Sequence, residues 1–286
     1  GCQSVALLKF QLPAPCKLNL CLTITGRRAD GYHELQTAFQ LLDYADQITF
    51  ASADSLQVSA LSGVAAEDNL VYQAAQKLAA LTGCAAGANI QLSKRIPSGA
   101  GLGGGSSDAA TTLVGLNLLW GTGLSLTALA NLGLELGADV PVFVHGQSAW
   151  AEGVGEQLVP LKLPQRWFVV IQPDCQISTR EIFLHPDLTR NSTPITIARF
   201  LETGSLNNCE AIARMLYPQV DEALQWLSRW GLARMTGTGS CVFIDVDTQA
   251  QAETIQSAVP AKWTSFSAVG VNDSSLHRAM ASLGPM

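Results

Sequence analysis

The chain has 286 residues, 48% of them hydrophobic, enough for a sizeable core and two domains. Its formal net charge is −6, from 17 basic and 23 acidic residues, which argues against a general nucleic-acid binder or a protein held to anionic membranes by charge. No apolar run is long enough to span a bilayer, and no signal-peptide pattern is expected. Seven cysteines form no C-x-x-C pair and no zinc-type Cys/His spacing, so free thiols in a reducing cytoplasm are the simplest expectation. Gly1 in the place of Met points to a processed N-terminus, and no repeat or low-complexity tract is present. A monomer and a weak homodimer are equally compatible with the sequence.

In chain order, Pro13 and Pro15 lead into a strand over residues 17–24, in which Leu18, Leu20, Leu22 and Ile24 alternate with Lys17, Asn19, Cys21 and Thr23. Lys17 and Asn19 therefore share one face, which a solvated strand would explain as well as a site. Residues 26–33 form a turn with Arg27, Arg28 and an Asp30-Gly31 pair, followed by Tyr32 and His33, a costly pair to leave on a plain loop. Further strands are expected near 35–42, 46–51 and 56–60, and then a helix over 68–81 that stops at Gly83. Asn69 in its first turn suits either capping or nucleotide contact.

A strand over 88–96, with Lys94 and Arg95 near its end, runs into Pro97-Ser98-Gly99-Ala100-Gly101-Leu102-Gly103-Gly104-Gly105-Ser106-Ser107-Asp108. A helix that is apolar nearly all round is expected over 109–120. Strand, glycine loop and helix N-terminus form a physical recipe for holding phosphate, because free amides and the positive end of the helix dipole converge there. The loop is not a Walker A motif, since no Lys follows its last glycine. The G-x-G-x-x-G spacing from Gly99 lacks the acidic βαβ partner of a dinucleotide site.

Ser125 can cap a helix to about residue 136, after which Asp139 precedes a strongly apolar run containing Pro141. Taken alone, Asp139 reads better as a helix cap than as a partly desolvated base. Proline-marked residues 160–164 suggest a boundary, giving domains 1–163 and 164–286. The second part reads as a strand at 166–172, helices near 178–184, 195–202, 208–216 and 220–230, a glycine-rich loop at 235–241, a strand at 242–246, a helix at 249–257 and a strand at 264–271. That order suggests an α+β layer.

Three separated stretches now agree. Residues 15–20, the central loop and residues 236–241 resemble, in order, the three motifs of the GHMP kinase superfamily. Residues 28–33, 67–70, 136–143 and 151–156 are similar to the branch that phosphorylates a cytidine diphosphate-linked methylerythritol. The resemblance implies an α+β two-domain fold, with an N-terminal ATP-binding part like ribosomal protein S5 domain 2 and a ferredoxin-like, substrate-binding C-terminal part. It implies ATP and magnesium as cofactors, with no nucleic-acid or membrane partner. Lys17 and Asp139 match the catalytic pair. Asn19, Tyr32, His33 and Phe183 match the substrate contacts. Pro97, Ser98, Gly99, Ala100, Gly101, Leu102, Gly103, Gly104, Gly105, Ser106 and Ser107 match the ATP loop, with Asn69 and Lys94 near the adenine. The resemblance leaves the magnesium ligands open, Ser107 being the plausible one. A small-alcohol kinase of the homoserine type, and a nucleotide-binding regulator without turnover, are the competing readings. Tyr32, His33 and Phe183 weigh against the first, and Lys17 with Asp139 against the second.

Overall fold

The computed structural model describes residues 9–283; the expectation for Gly1 lies outside them. β1 (Lys9–Arg27) and β2 (His33–Ala53) make one long antiparallel hairpin. The two strands expected between 35 and 51 are a single strand. Both of its ends have partners, so the polar Asp43–Asp46 stretch has no cause to break the ladder. β3 (Leu56–Val58) pairs in parallel with β4 (Gly87–Ser93), and β4 pairs antiparallel with β2. Between them lies α1 (Leu70–Thr82), which buries Val71, Ala74, Ala75 and Leu78 and ends at Gly83 in the left-handed region.

α2 (Gly104–Leu119) starts five residues earlier than its apolar pattern suggests, because Gly104 to Asp108 supply its first turn. It is buried on nearly every side and packs with α1, with the β1–β2 hairpin, and with α4 (Val140–His145). α3 (Leu126–Leu134) is capped by the Ser125 hydroxyl, as its sequence predicts. A hairpin of β5 (Ala149–Glu152) and β6 (Gln157–Pro160), which periodicity does not announce, adds to β2.

The later chain contributes β7 (Trp167–Gln172), α5 (Thr179–Leu184), α6 (Ile197–Thr203), α7 (Asn208–Leu216), α8 (Pro218–Leu227), β8 (Arg234–Met235), β9 (Val242–Val246), α9 (Gln249–Ala258) and β10 (Thr264–Val271). A final helix, α10 (Ser275–Ser282), was not foreseen. The sheet runs β3-β4-β2-β10-β7-β9-β8, so β10 joins the two halves through Gly270–Val271 against Leu41–Leu42.

β1 departs furthest from its simple alternation. Register shifts at Pro15/Lys17, Asn19/Leu22 and Ile24/Gly26 turn its side chains in several directions. Leu18 enters one apolar cluster with Phe168 and Phe243, Cys21 another with Trp150, and Leu22 and Ile24 a third with β7, β9, α7 and α8. The face carrying Lys17 and Asn19 is therefore not solvated, and these residues are only 3% and 4% exposed. Among the described residues, no helix is long and apolar enough to cross a membrane.

Candidate active site

The loop between β4 and α2 turns through the left-handed region at alternate residues, with φ +80° at Gly101 and +69° at Gly103. Only glycine fits at either place. A Cβ on Gly101 would lie 2.2 Å from the Thr236 carbonyl oxygen, and one on Gly103 would lie 2.8 Å from the Phe143 ring and 3.1 Å from Lys17 Cε. Gly103 is the N-cap of α2, and no acidic side chain stands in that helix's first turn. The first-turn amides thus lack intrahelical partners and meet the positive end of a buried helix, which makes an anion cradle.

β1 and the second glycine loop close around this cradle. The Lys17 amide donates to Leu102 O (3.0 Å), and the Cys241 amide to Ala100 O (3.1 Å). Thr236 Oγ1 accepts from the Asn19 amide (2.9 Å) and donates to Gly101 O (3.0 Å). Lys17 Nζ donates to that same Gly101 oxygen (3.0 Å) and to Asn19 Oδ1, and it stands 3.4 Å from Asp139 Oδ2. An ammonium has three donors, so these three oxygens fix Nζ as a tripod. Asn19 is held from its other end, its Nδ2 donating to Thr37 Oγ1 at 2.8 Å.

Asp139 sits at the N-cap of α4 with φ −85° and ψ −12°, and its side chain makes no capping bond. The cap favoured by local sequence rules is absent. A cap residue ordinarily has extended backbone so that its side chain can return to the helix amides, whereas Asp139 is already helical. Its carboxylate, 35% exposed, turns to Lys17 instead.

These groups line a cavity of about 400 Å³, together with Gly99, Ser106, Phe39, Ile177 and Phe183. Mostly apolar walls with a few convergent polar groups suit a small-molecule site. The His33 ring lies 5.1 Å from that of Phe183. Tyr32 is 66% exposed beyond an Asp30 side-chain turn and pairs with no other ring among the described residues, so Tyr32 and Phe183, both expected as substrate contacts, differ sharply in setting.

Asn69 does cap α1, accepting from the Val71 amide at 3.0 Å, while its Nδ2 donates to Ser59 O at 3.4 Å. Lys94 stands behind the cradle with its Nζ 2.6 Å from Asp46 Oδ2 and 3.0 Å from Asp108 Oδ2. Burial disfavours the Lys94 ammonium, but the two carboxylates outweigh it and raise its pKa. Burial pushes the Asp108 carboxyl up to about 8, with Lys94 pulling it down and Asp46 adding to the rise. The folded protein therefore holds a proton on Asp108 that the unfolded chain gives up near pH 4. Between pH 4 and 8 this group makes stability fall as pH rises. In Asp108→Asn that slope should vanish, so the variant gains relative to the parent from pH 5 to 8 in urea unfolding. The same difference at both pH values would show that Asp108 does not titrate as described.

Residues 69–147 match the GHMP kinases N terminal domain, and residues 187–265 the GHMP kinases C terminal domain. The 4-diphosphocytidyl-2-C-methyl-D-erythritol kinase of Nitrosococcus oceani is 54% identical over 267 residues, 92% of this chain and 95% of that protein. The chain belongs to the 4-diphosphocytidyl-2-C-methyl-D-erythritol kinase family. A crystal structure of a 4-(cytidine 5'-diphospho)-2C-methyl-D-erythritol kinase superposes with a TM-score of 0.82 at 34% identity, covering 91% of this chain and 99% of that one. A homoserine kinase from Cytophaga hutchinsonii superposes with a TM-score of 0.66 at 16% identity, covering 95% and 96%, which is a likeness of fold alone. The α+β architecture expected from the motifs is thus the GHMP kinase fold, and the chain is a phosphotransferase acting on an alcohol.

Within this family frame, Lys17, Asn19, Asp139, Phe183, Ser106 and the glycines at 99, 101 and 103 face one cavity. His33 reaches its wall through Phe183. Asn69 and Lys94 stand behind the loop, each already engaged by protein partners. Sequence reasoning missed the hydroxyls of Thr37 and Thr236, which wire Asn19 in place. Thr236 opens the second glycine loop, and that position was the available signal. Thr37 carried none.

Proposed function

We propose that this protein transfers the γ-phosphoryl group of ATP to the 2-hydroxyl of 4-diphosphocytidyl-2-C-methyl-D-erythritol, in the non-mevalonate route to isoprenoid precursors. The carrying observation is the Lys17 tripod, which ties Asp139 and Asn19 to a carbonyl of the glycine loop. Phosphoryl transfer needs positioning and charge stabilisation more than covalent help. The loop amides and the α2 dipole receive the β- and γ-phosphates. Asp139 holds the attacking hydroxyl in line and is the group placed to take its proton. Lys17 stabilises the charge that develops on the attacking oxygen and aims Asp139.

Among the described residues, no group of three metal-ligating side chains exists, which fits a magnesium ion carried by the nucleotide phosphates and water rather than by a protein cage. Ser107, whose buried hydroxyl has no hydrogen-bond partner among the described residues, is the side chain we assign to it. When bound, such an ion neutralises charge on the phosphate oxygens. In this reading residues 1–163 carry ATP, 164–286 supply one wall of the cytidine pocket, and the enzyme works in the cytoplasm. Asn69 and Lys94 lie on the adenine side.

Incubating the protein with ATP, magnesium and a panel of alcohols, and detecting ADP, tests the assignment. ADP formed with the cytidine substrate alone is the expected result. Turnover of homoserine instead, or none with any alcohol, would overturn it.

Aromatic contact with the base separates further. Tyr32, with its side chain exposed, is placed to cover a ligand lying on the His33–Phe183 wall. Stacking is worth roughly 1–3 kcal/mol per base, so Tyr32→Ala or Phe183→Ala should raise KM for the cytidine substrate about tenfold with KM for ATP little changed. Tyr32→Ala should leave the melting temperature unaltered. An unmoved substrate KM in both variants would remove the base-stacking role.

A further inference from the structure

The wall formed by His33 and Phe183 is held by a residue outside every motif named above. Arg190, in the segment after α5, spends its guanidinium on four acceptors. Its Nε donates to His33 Nε2 at 3.2 Å, its Nη1 to Leu188 O at 3.1 Å, and its Nη2 to Phe183 O at 2.7 Å and His185 O at 2.9 Å. Phe183 and His185 lie at the C-terminal end of α5, where carbonyls lack intrahelical partners and a cation is favoured. The other end of α5 is pinned too. Thr179 Oγ1 lies 2.9 Å from Thr238 Oγ1 of the second glycine loop, and the Ser178 hydroxyl caps the helix. Phe183 is therefore fixed between two anchors, and one of them also grips a residue 157 positions away in sequence.

The chemistry of that grip is one-way. Guanidinium carries donors only and stays charged. The His33 nitrogen facing it must present a lone pair, so the ring is neutral and its proton sits on Nδ1. The charged groups facing this ring are Arg190 and, from the end of β1, Arg27. Both are cationic and, together with burial, oppose its protonation. We propose that Arg190 is a positioning residue that locks His33 in its neutral Nδ1–H form against Phe183, and so presets the wall that recognises the substrate's base. The substrate part rests on the cytidine reading above; the tautomer part does not.

Long-range ¹H–¹⁵N NMR of the histidine side chains, in the full chain without ligand, tests the lock directly. The parent should show His33 as Nδ1–H at pH 7–8. In Arg190→Gln the ring should mix tautomers and titrate at a higher pH than in the parent, with burial and Arg27 still holding it below the ordinary histidine value. Steady-state kinetics provides the second readout. Losing a charge-assisted bond should raise KM for the cytidine substrate about tenfold in Arg190→Gln, and more as pH falls and the ring gains a proton, with kcat and KM for ATP near parental. A merely structural arginine would not couple substrate KM to pH. Arg190→Lys keeps the charge without the fork, so, should the glutamine variant fail to fold, it should still mix the His33 tautomers and raise the substrate KM, with the titration of the ring left near that of the parent. A parent ring carrying its proton on Nε2, or charged at pH 7, overturns the proposal, as does an unchanged substrate KM in a variant whose His33 is released. Were the cytidine reading itself wrong, His33→Ala and Phe183→Ala would leave substrate KM unmoved while the parent tautomer stood.

Discussion

Asp139→Asn should lower kcat by on the order of a hundredfold or more while leaving the melting temperature near parental. The two halves of this expectation have separate physical causes. Asp139 is partly exposed, caps nothing and has one ionic partner, so the fold loses little when its charge goes. The reacting hydroxyl loses the group that orients it and receives its proton. Lys17→Ala should cost a similar factor in kcat, but with a lower melting temperature. It leaves Asn19 Oδ1 without its buried donor, worth about 1–3 kcal/mol, while Gly101 O keeps the bond from the Thr236 hydroxyl. Single-turnover kinetics paired with thermal melts measures both. Near-parental kcat in Asp139→Asn would remove that residue from the chemistry.

Gly103→Val should weaken ATP binding by about tenfold or more, with a smaller loss for the cytidine substrate. A β-branched residue at φ +69° costs about 1–3 kcal/mol in backbone strain. Its Cβ would also press on the Phe143 ring and on the aliphatic stem of Lys17. The cradle loses its shape, and the tripod is displaced with it, so kcat should fall alongside ATP affinity. Titration calorimetry of an ATP analogue and of the cytidine substrate distinguishes this from misfolding, which would reduce both affinities equally.

The cradle was legible because it is written in residues with one special property. Glycines with positive φ before a buried helix leave few alternatives, and the helix needed only to be moved back to Gly104. Asp139 was legible as important and misread in its local role, because capping rules assume an extended backbone that this turn does not adopt. The burial of Lys17 was not legible. Alternation places it on a free face, and the bulges that redirect it depend on partners in β2 and on a loop some 84 residues away. The Lys94–Asp46–Asp108 cluster was invisible for the same reason, since it joins β2, the end of β4 and α2. The closing helix α10 has only one fully buried apolar residue, Leu276, too weak a pattern to read.

The placement of Leu276 has a mechanical consequence. It sits in the apolar cluster around α2, although it follows β10, while Leu22 and Ile24 of the first strand sit in the cluster around β7 and β9. The far part of β1 and the helix after β10 thus each plug the opposite half, like two hands with interlaced fingers. Opening the molecule at its middle would unplug both cores at once, so a wide clamshell stroke is denied to it. Ligand capture must instead come from small adjustments of turns such as the one that carries Tyr32. X-ray scattering in solution should accordingly show the same radius of gyration before and after both ligands bind.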